Sequence, residues 1–467
     1  MLRILGHAAT TCDGVTRREV LRAGALTLFG SLALPTVAAA KATRPAAKAK
    51  SVILLDLFGG PSHLDMFDPK PDAPAEVRGE FGVIDTALPA VKVSEHLPRL
   101  ARWLGRTSLI RTLSHPYNSH NPYAVMTGFT GGNDVRDYYS RPSDWPSMGS
   151  VCHFAGLGRP GVPPYVCLPA LPGYSQGLRR CGPYGGFLGT RYDPLFSTCD
   201  PQFPRPIDGT KDFYDPGYVP MGEPKLPSLR SELTLDALDR RRTLLQQLDA
   251  EAAKLDAAAP MTRKQDEAFD LLLSPRARKA FELDQEPPAV RDRYGRDVFG
   301  SCMLLARRLV ETGVTFITIH TETKGNGHWD THENNFNMLK QFLLPWFDRG
   351  LSVLLEDLDD RGLLDTTLVV TMGDMGRSPR VNGKAGRDHW PQCGFCLLAG
   401  GGTKAGHVHG ASDKTGSYPK DHPVSPGDIC ATIYELVGVD PNIMVPDPAG
   451  QPHSVTHGGA PIRTVIA

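Results

Sequence analysis

The chain has 467 residues, with 51 basic and 51 acidic side chains and therefore a formal net charge of zero. This balance excludes a global field that would attract nucleic acid or an anionic membrane surface. The hydrophobic fraction of 40% and the charged fraction of 22% are ordinary for a globular protein, which excludes general disorder. A chain of this length buries one large core or two ordinary ones.

The N-terminal segment has the pattern of an export signal. Arg17 and Arg18 precede a short apolar run, and small residues follow at Ala38–Ala40. These features characterise a twin-arginine signal peptide, and the run is shorter than the roughly 20 apolar residues that span a bilayer. We predict a signal peptide over residues 1–40 and a tether over 41–50. The expected protein is periplasmic or secreted, is carried by the twin-arginine export machinery and has no stable membrane span.

Short apolar runs with the length of buried strands recur along the rest of the chain. They cover residues 51–58, 108–113, 314–320, 367–372 and 394–398. An amphipathic helix is predicted over 338–358, with a kink at Pro345. Strands that alternate with helices predict an α/β fold.

Two segments interrupt this alternation. Residues 141–227 are rich in Pro, Gly and aromatic residues, and we interpret them as an insertion on the loop side of the sheet. Its aromatic residues either shape a substrate cleft or form a structural cover. Residues 228–284 have the leucine spacing of core-packing helices. We predict a single domain over 51–467 that contains both segments.

The pair Cys393 and Cys396 forms a CxxC, which is typical of redox and zinc sites. The second cysteine opens an apolar run that indicates a buried strand, and the sequence has no second CxxC of the kind that a zinc site needs. We therefore favour structural thiols or a structural disulfide.

Acidic and imidazole side chains follow several of the predicted strands. Asp65 follows the first strand, Asp330 and His332 follow the third, Asp374 ends the fourth, and His389 comes shortly afterwards. Open α/β sheets bind ligands at the carboxyl ends of their strands. We therefore predict that these five residues bind a divalent metal ion. Carboxylates with imidazoles favour Zn, Mn or Fe, whereas a mostly carboxylate set with amides favours Ca or Mg.

A second histidine-rich segment, residues 115–122, follows the predicted strand at 108–113. Its loop is expected to open at the same edge of the sheet, so that Ser119 or His120 would lie near an attacked atom. Arg377 would neutralise a sulfate or phosphate oxyanion. The alternative for Arg377 is a salt bridge to a nearby aspartate.

Five motifs are spread along the chain: GGPSHLDMFDPKP at 59–71, SEHLP at 94–98, HPYNSHNP at 115–122, MGDMGRSPR at 372–380 and GRDHWP at 386–391. With the twin-arginine leader, they resemble a family of exported bacterial proteins of unknown function. That family is described as sulfatase-like and is placed in the alkaline phosphatase-like superfamily. The resemblance implies a three-layer α/β/α sandwich with a central mixed, largely parallel sheet, and metal-dependent hydrolysis of sulfate or phosphate esters.

The resemblance also assigns roles by motif position. It implies that Asp330 and His332 form one metal-binding pair, that Asp374 is the next carboxylate and that His389 is a later histidine ligand.

The sequence departs from the superfamily pattern at three places. Phe58 stands where the first metal-binding aspartate is expected, which leaves Asp56 or Asp65 as substitutes. The sulfatase nucleophile motif, a Cys or Ser followed by x-Pro-x-Arg, is absent. Met375 follows Asp374 where a carboxylate-histidine pair is expected.

Two functions are compatible with these residues. The first is a periplasmic metal-dependent hydrolase that acts on a small-molecule or glycan ester, such as a sulfated glycan. The second is a non-catalytic glycan-binding or structural surface protein on the same fold. The dense Asp/His set favours the first, whereas the absent nucleophile motif favours the second.

Overall fold

The computed structural model describes residues 45–118, 120, 122–131, 139–208, 212–226, 275–322 and 328–467. They belong to one compact unit, Pro45–Ala467. The predicted signal peptide, Ser119 and residues 228–274 of the predicted helical segment lie outside the described residues. The predicted domain boundaries therefore stay predictions.

An eight-stranded sheet forms the centre of the described structure. Its strands, numbered in chain order, are β1 Ser51–Leu57, β2 Thr107–Leu113, β3 Tyr165–Leu168, β4 Leu195–Phe196, β5 Phe316–His320, β6 Thr367–Gly373, β7 Gly394–Ala399 and β8 His407–His409. Their spatial order is β8-β2-β7-β6-β1-β5-β3-β4. Within this sheet β7 is antiparallel to both of its neighbours, and all other pairs are parallel. The sheet is therefore mixed and largely parallel, as predicted.

Short ribbons and helices complete the described residues. The antiparallel ribbons are Val83–Asp85 with Lys92–Ser94, Gly376–Arg377 with His389–Trp390, Ala411–Ser412 with Pro419–Asp421, and Met444–Pro446 with Pro452–Ser454. The α-helices are α1 Ala75–Arg78, α2 Pro98–Trp103, α3 Tyr123–Thr127, α4 Met148–Phe154, α5 Pro275–Phe281, α6 Pro288–Tyr294, α7 Val298–Thr312, α8 Asn335–Met338, α9 Leu344–Asp360 and α10 Pro426–Val437.

Successive residues of β1 face opposite layers of helices. Ile53 and Leu55 belong to a core that includes α7 and α9, whereas Val52 and Leu54 belong to a second core that includes α10. Side chains alternate along a strand, so a strand that is covered on both faces is apolar at consecutive positions. This arrangement explains the continuous apolar run, and it confirms the predicted three-layer α/β/α sandwich.

The five predicted strands are all present, each within two residues of its predicted ends. The predicted helix over 338–358 corresponds to α8, a π-helical stretch at Leu339–Leu343, and α9. The π-helical stretch lies just before Pro345, because proline cannot donate the backbone hydrogen bond of a regular helix. Among the described residues, no helix has both the length and the apolar character that a membrane span needs.

Two further sequence interpretations concern details of the fold. Residues 141–227, predicted as a loop-side insertion, also contribute β3 and β4 to the edge of the sheet next to β5. Both strands are too short to stand out in a segment rich in Pro and Gly. Cys393 and Cys396 are free and buried, and burial raises the pKa of both thiols. These properties agree with structural thiols.

Candidate metal centre

Strands β1, β2, β5 and β6 run in the same direction, so their carboxyl ends lie along one edge of the sheet. The loop after β2 carries His120, and the segment after β5 carries Asp330 and His332. His389 comes after β6, in the ribbon that pairs it with Arg377. Residues far apart in the chain are thus brought to one edge.

One carboxylate oxygen of Asp330 is the point on which three imidazoles converge. Nε2 of His120 and Nε2 of His332 each lie 3.1 Å from Asp330 Oδ1. Nε2 of His389 lies 3.5 Å from the same oxygen. One ligand atom from each of the four residues lies within 4.8 Å of the others. We call this group, made of His120, Asp330, His332 and His389, the Asp330 cluster.

The donor atoms of the Asp330 cluster fit a transition-metal ion. Nε2 of His120 and Nε2 of His389 are buried and, although close to Asp330, make no aligned hydrogen bond. Nitrogen lone pairs that converge on one point without a hydrogen-bond partner are available as metal ligands. Three imidazoles and one carboxylate favour Zn, Mn or Fe, whereas Ca prefers an all-oxygen set.

In two of these rings the second nitrogen, Nδ1, lies next to a carboxylate. His332 Nδ1 lies 2.8 Å from Asp388 Oδ1, and His120 Nδ1 lies 3.2 Å from Asp374 Oδ2. A carboxylate behind a metal-binding histidine fixes the ring orientation and raises its basicity. Asp374, predicted as a ligand, therefore lies behind His120 and outside the cluster. Sequence reasoning missed Asp388, although it stands next to His389 in the GRDHWP motif.

Arg377 is fully buried, and it orients the Asp330 carboxylate. Its guanidinium donates to Asp330 Oδ1 at 2.6 Å and to the Gly60 carbonyl at 2.9 Å. The predicted contact between Arg377 and a substrate oxyanion does not fit this position, because the donors point to the protein's own oxygens. Arg377 instead forms the predicted alternative, a salt bridge to an aspartate, here Asp330.

Asp65 is also occupied elsewhere. Its two oxygens accept from Arg387 Nε at 2.7 Å and from Arg387 Nη2 at 2.9 Å, and Asn335 Nδ2 donates to it at 3.0 Å. Both members of this ion pair are buried. A bidentate pair of this kind satisfies the carboxylate. The structure thus places Asp65 in a structural salt bridge and outside the Asp330 cluster. The predicted nucleophile candidate Ser119 lies outside the described residues.

The electrostatics of the cluster keep its carboxylate ionised. Burial opposes ionisation, but the close imidazoles of His120, His332 and His389 hold the pKa of Asp330 far below its usual range. Burial likewise opposes a charged His120, yet its contacts with Asp330 and Asp374 raise the pKa of His120 to about 9. A proton on His120 therefore competes with a metal ion for the same nitrogen.

The Asp330 cluster is partly open, with the side chains of Asp330 and His332 exposed by 17% and 34%. Tyr214, from the segment predicted as an insertion, lies near the cluster. The Tyr214 carbonyl accepts from Asn334 Nδ2 at 3.0 Å, and burial together with the nearby charge of Asp330 raises the pKa of the Tyr214 hydroxyl to about 12. An aromatic residue of the predicted insertion thus lies close enough to the cluster to interact with the charge of Asp330.

A second set of charged side chains lies close by, and sequence reasoning missed most of it. His320 Nδ1 lies 2.7 Å from Asp56 Oδ2, and His320 Nε2 lies 3.0 Å from Glu322 Oε2. All three residues are completely buried, and we call them the Asp56 network. Phe58 stands between the two groups, with its ring 4.8 Å from that of His320 and 6.0 Å from that of His120. Asp56 is therefore paired inside the protein and does not replace the absent ligand.

Comparison with solved structures gives likenesses at low identity. The sulfatase PsFucS1 from Pseudoalteromonas sp. is 14% identical, with coverage of 92% of this chain and 73% of the other and a TM-score of 0.34. The phosphonate monoester hydrolase SpPMH from Silicibacter pomeroyi is 13% identical, with coverage of 90% and 76% and a TM-score of 0.33. A protein in the alkaline phosphatase superfamily from Vibrio parahaemolyticus is 9% identical, with coverage of 91% and 72% and a TM-score of 0.38. These likenesses concern the fold and carry no information about a substrate.

No curated protein matches the sequence significantly. A family model described as "Protein of unknown function (DUF1501)" matches residues 49–466. This match spans nearly the whole described unit, and the chain therefore belongs to the DUF1501 family.

Proposed function

We propose that this protein is a metal-dependent hydrolase of sulfate or phosphate esters, with its metal ion bound by the Asp330 cluster. The observation that carries the proposal is the convergence of three imidazole nitrogens and one carboxylate oxygen within 4.8 Å. The position of the cluster at the carboxyl ends of parallel strands supports it, because open α/β sheets bind ligands there. Its partial exposure supports access by a substrate or water.

Asp330, His332 and His389 would hold the ion. A bound ion of this type polarises an ester oxygen and lowers the pKa of a bound water. Asp388 orients the His332 ring, and Arg377 fixes the Asp330 carboxylate that the three rings share. These contacts set the ligand atoms in place before any substrate arrives.

His120 has a different role in each of the two candidate functions of the Asp330 cluster. Its Nε2 belongs to the cluster and its Nδ1 is held by Asp374. As a fourth ligand it would close a tetrahedral site, which is typical of structural metal ions. As a free base beside three ligands it would hold or release a proton next to the ester. The hydrolase proposal requires the second use.

We also propose an exported protein whose substrate is a glycan ester. The paired Arg17 and Arg18 before an apolar run support export. The double change Arg17→Lys/Arg18→Lys is expected to retain the precursor in the cytoplasm, as measured by cell fractionation. Unchanged export of this variant would contradict the assignment.

The hydrolase proposal is tested with purified, metal-loaded protein and a panel of aryl sulfates, phosphate monoesters and phosphate diesters. We expect turnover of at least one class and a loss of about 100-fold or more in His332→Asn/His389→Asn, because Asp330 alone of the three proposed ligands remains and no longer holds the ion. His96→Asn is the matched control, since His96 packs on Phe81 and lies outside the cluster. Full metal occupancy without cleavage of any ester would contradict the hydrolase proposal.

A non-catalytic glycan-binding protein is the second candidate. The observation that favours it is the number of ligands, because the Asp330 cluster offers four protein donors and can close a tetrahedral site. This candidate predicts glycan binding without turnover, which a binding screen on sulfated and unsulfated glycans measures. It also predicts that His120→Asn lowers metal affinity as strongly as His389→Asn.

A further inference from the structure

Two loop segments, residues 330–335 and 382–389, carry Asp330, His332 and His389, which are three of the four members of the Asp330 cluster. Backbone hydrogen bonds join the two segments. They run from Asn334 N to Lys384 O at 3.1 Å, from Asn335 N to Ala385 O at 2.9 Å and from Arg387 N to Thr331 O at 3.0 Å. The backbone thus holds the segments together without the help of a side chain.

The side chain of Asn382 adds contacts with both of its polar atoms. Its Oδ1 accepts from Lys384 N at 2.9 Å and from Gly386 N at 3.0 Å, which closes the turn at the start of the second segment. Its Nδ2 donates to the His332 carbonyl at 2.9 Å and to Asp388 Oδ1 at 3.1 Å. Asn382 therefore connects the backbone of His332 with the carboxylate next to the His332 ring.

These four contacts select an amide side chain in one orientation. Oδ1 of Asn382 faces two backbone donors, whereas Nδ2 faces two oxygens, so a reversed amide would place donor against donor and acceptor against acceptor. A carboxylate at position 382 would have no proton to donate to the His332 carbonyl or to Asp388. The residue type at this position thus matches its surroundings.

Asp388 Oδ1 is the atom through which Asn382 reaches the ligand nitrogens. The same oxygen lies 2.8 Å from His332 Nδ1. Asp388 is largely exposed, and an exposed side chain samples several rotamers unless a contact selects one. The amide of Asn382, anchored on the His332 carbonyl, selects the rotamer in which Oδ1 meets the ring. A carboxylate that holds Nδ1 leaves the lone pair of Nε2 for a metal ion.

We propose that Asn382 is a positioning residue of the Asp330 cluster, which acts by holding Asp388 against the His332 ring. The inference rests on the metal site of the proposed function and does not depend on ester hydrolysis. Because Asn382 acts on the ring through Asp388, its effect on metal binding disappears when Asp388 is removed.

The test is the Zn²⁺ affinity of the purified mature protein, measured by competition with a chromophoric chelator. Asn382→Ala is expected to bind Zn²⁺ about 10-fold more weakly than the wild-type protein. Asn382→Ser is expected to show the same loss, because its hydroxyl still accepts from the turn but has no amide that reaches Asp388. Asn442→Ala is the matched control, since Asn442 Nδ2 donates to Asp440 Oδ1 at 3.3 Å outside the cluster.

Removal of Asp388 separates positioning from a merely structural role. In the Asp388→Ala background, Asn382→Ala is expected to change the Zn²⁺ affinity by less than about 2-fold, because residues that act through one contact are not additive. The visible absorption of bound Co²⁺ reports the ligand geometry. It is expected to change in Asn382→Ser and to stay unchanged in Asn442→Ala, while the melting temperature of metal-free Asn382→Ser equals that of the wild-type protein.

The outcomes distinguish this inference from the proposal on which it rests. Wild-type Zn²⁺ affinity in both Asn382 variants, or an equal loss with and without Asp388, would overturn the positioning role while the metal site stands. A wild-type protein that binds no Zn²⁺ would overturn the metal site and the positioning role together. Zn²⁺ binding without cleavage of any ester contradicts the hydrolase proposal alone.

Discussion

The Asp330 cluster and the Asp56 network are built from the same residue types at the same edge of the sheet, yet they differ in how their donors are satisfied. In the Asp56 network each nitrogen of His320 has its own carboxylate, at 2.7 Å and 3.0 Å, and every member is buried. In the Asp330 cluster three rings share one oxygen, and two of their nitrogens have no aligned partner. Asp and His side chains can thus bind a metal ion where their ligand atoms converge on one point without hydrogen-bond partners of their own. The residue types alone do not provide this capacity.

The largest effect is expected for loss of His320. In His320→Ala the carboxylates of Asp56 and Glu322 lose the imidazole between them while they remain buried. Removing one member of a buried ion pair costs about 3–5 kcal/mol. Urea denaturation should therefore show a free energy of unfolding lower by this amount, with the Zn²⁺ affinity of any protein that remains folded unchanged. A loss below about 1 kcal/mol would show that the network is not a structural unit.

The pH dependence of stability sharpens the same comparison. Burial opposes protonation of His320, but its bonds to Asp56 and Glu322 raise its pKa from 6.5 to about 9. A histidine whose pKa is higher in the folded than in the unfolded protein stabilises the folded state. This stabilisation is fully present at a pH below the unfolded-state pKa, and it is lost as the pH rises through the folded-state pKa. The difference in unfolding free energy between wild type and His320→Gln should therefore shrink between pH 6.5 and about 9. A difference that is constant with pH would contradict the charged state of His320.

A smaller effect is expected when a supporting carboxylate of the Asp330 cluster is changed. Asp388 is largely exposed and contacts His332 Nδ1. In Asp388→Asn the ring loses its charged partner, so the metal affinity should fall about 10-fold to 100-fold. The free energy of unfolding of the metal-free protein should change by less than about 0.5 kcal/mol. Competition with a chromophoric chelator measures the metal affinity, and an unchanged affinity would show that Asp388 does not support metal binding.

The sequence predicts the fold well because the sheet is covered on both faces. A strand with two buried faces appears as a continuous apolar run, as in β1 and β6, and such a run needs no information about its neighbours. The short strands β3 and β4 carry no such signal in a Pro-rich segment. The loops that follow the apolar runs are also predictable, since glycine-rich motifs mark them.

The site is predicted less completely, because sequence position does not say which way a side chain points. Asp330, His332 and His389 come from motifs at strand ends and do converge. Asp65 also follows a strand, yet it turns to Arg387, which is 322 positions away. His320 closes an apolar strand and looks like part of its core, although it pairs with Asp56. These pairings depend on tertiary contacts that spacing does not encode.

The central claim is that the Asp330 cluster binds a transition-metal ion. It is tested most directly by elemental mass spectrometry of the mature protein, purified without chelator, beside His332→Asn/His389→Asn and the control His96→Asn. We predict that the wild-type protein and the control contain one more equivalent of Zn, Mn or Fe than the double variant. Equal metal content in all three proteins would contradict the claim.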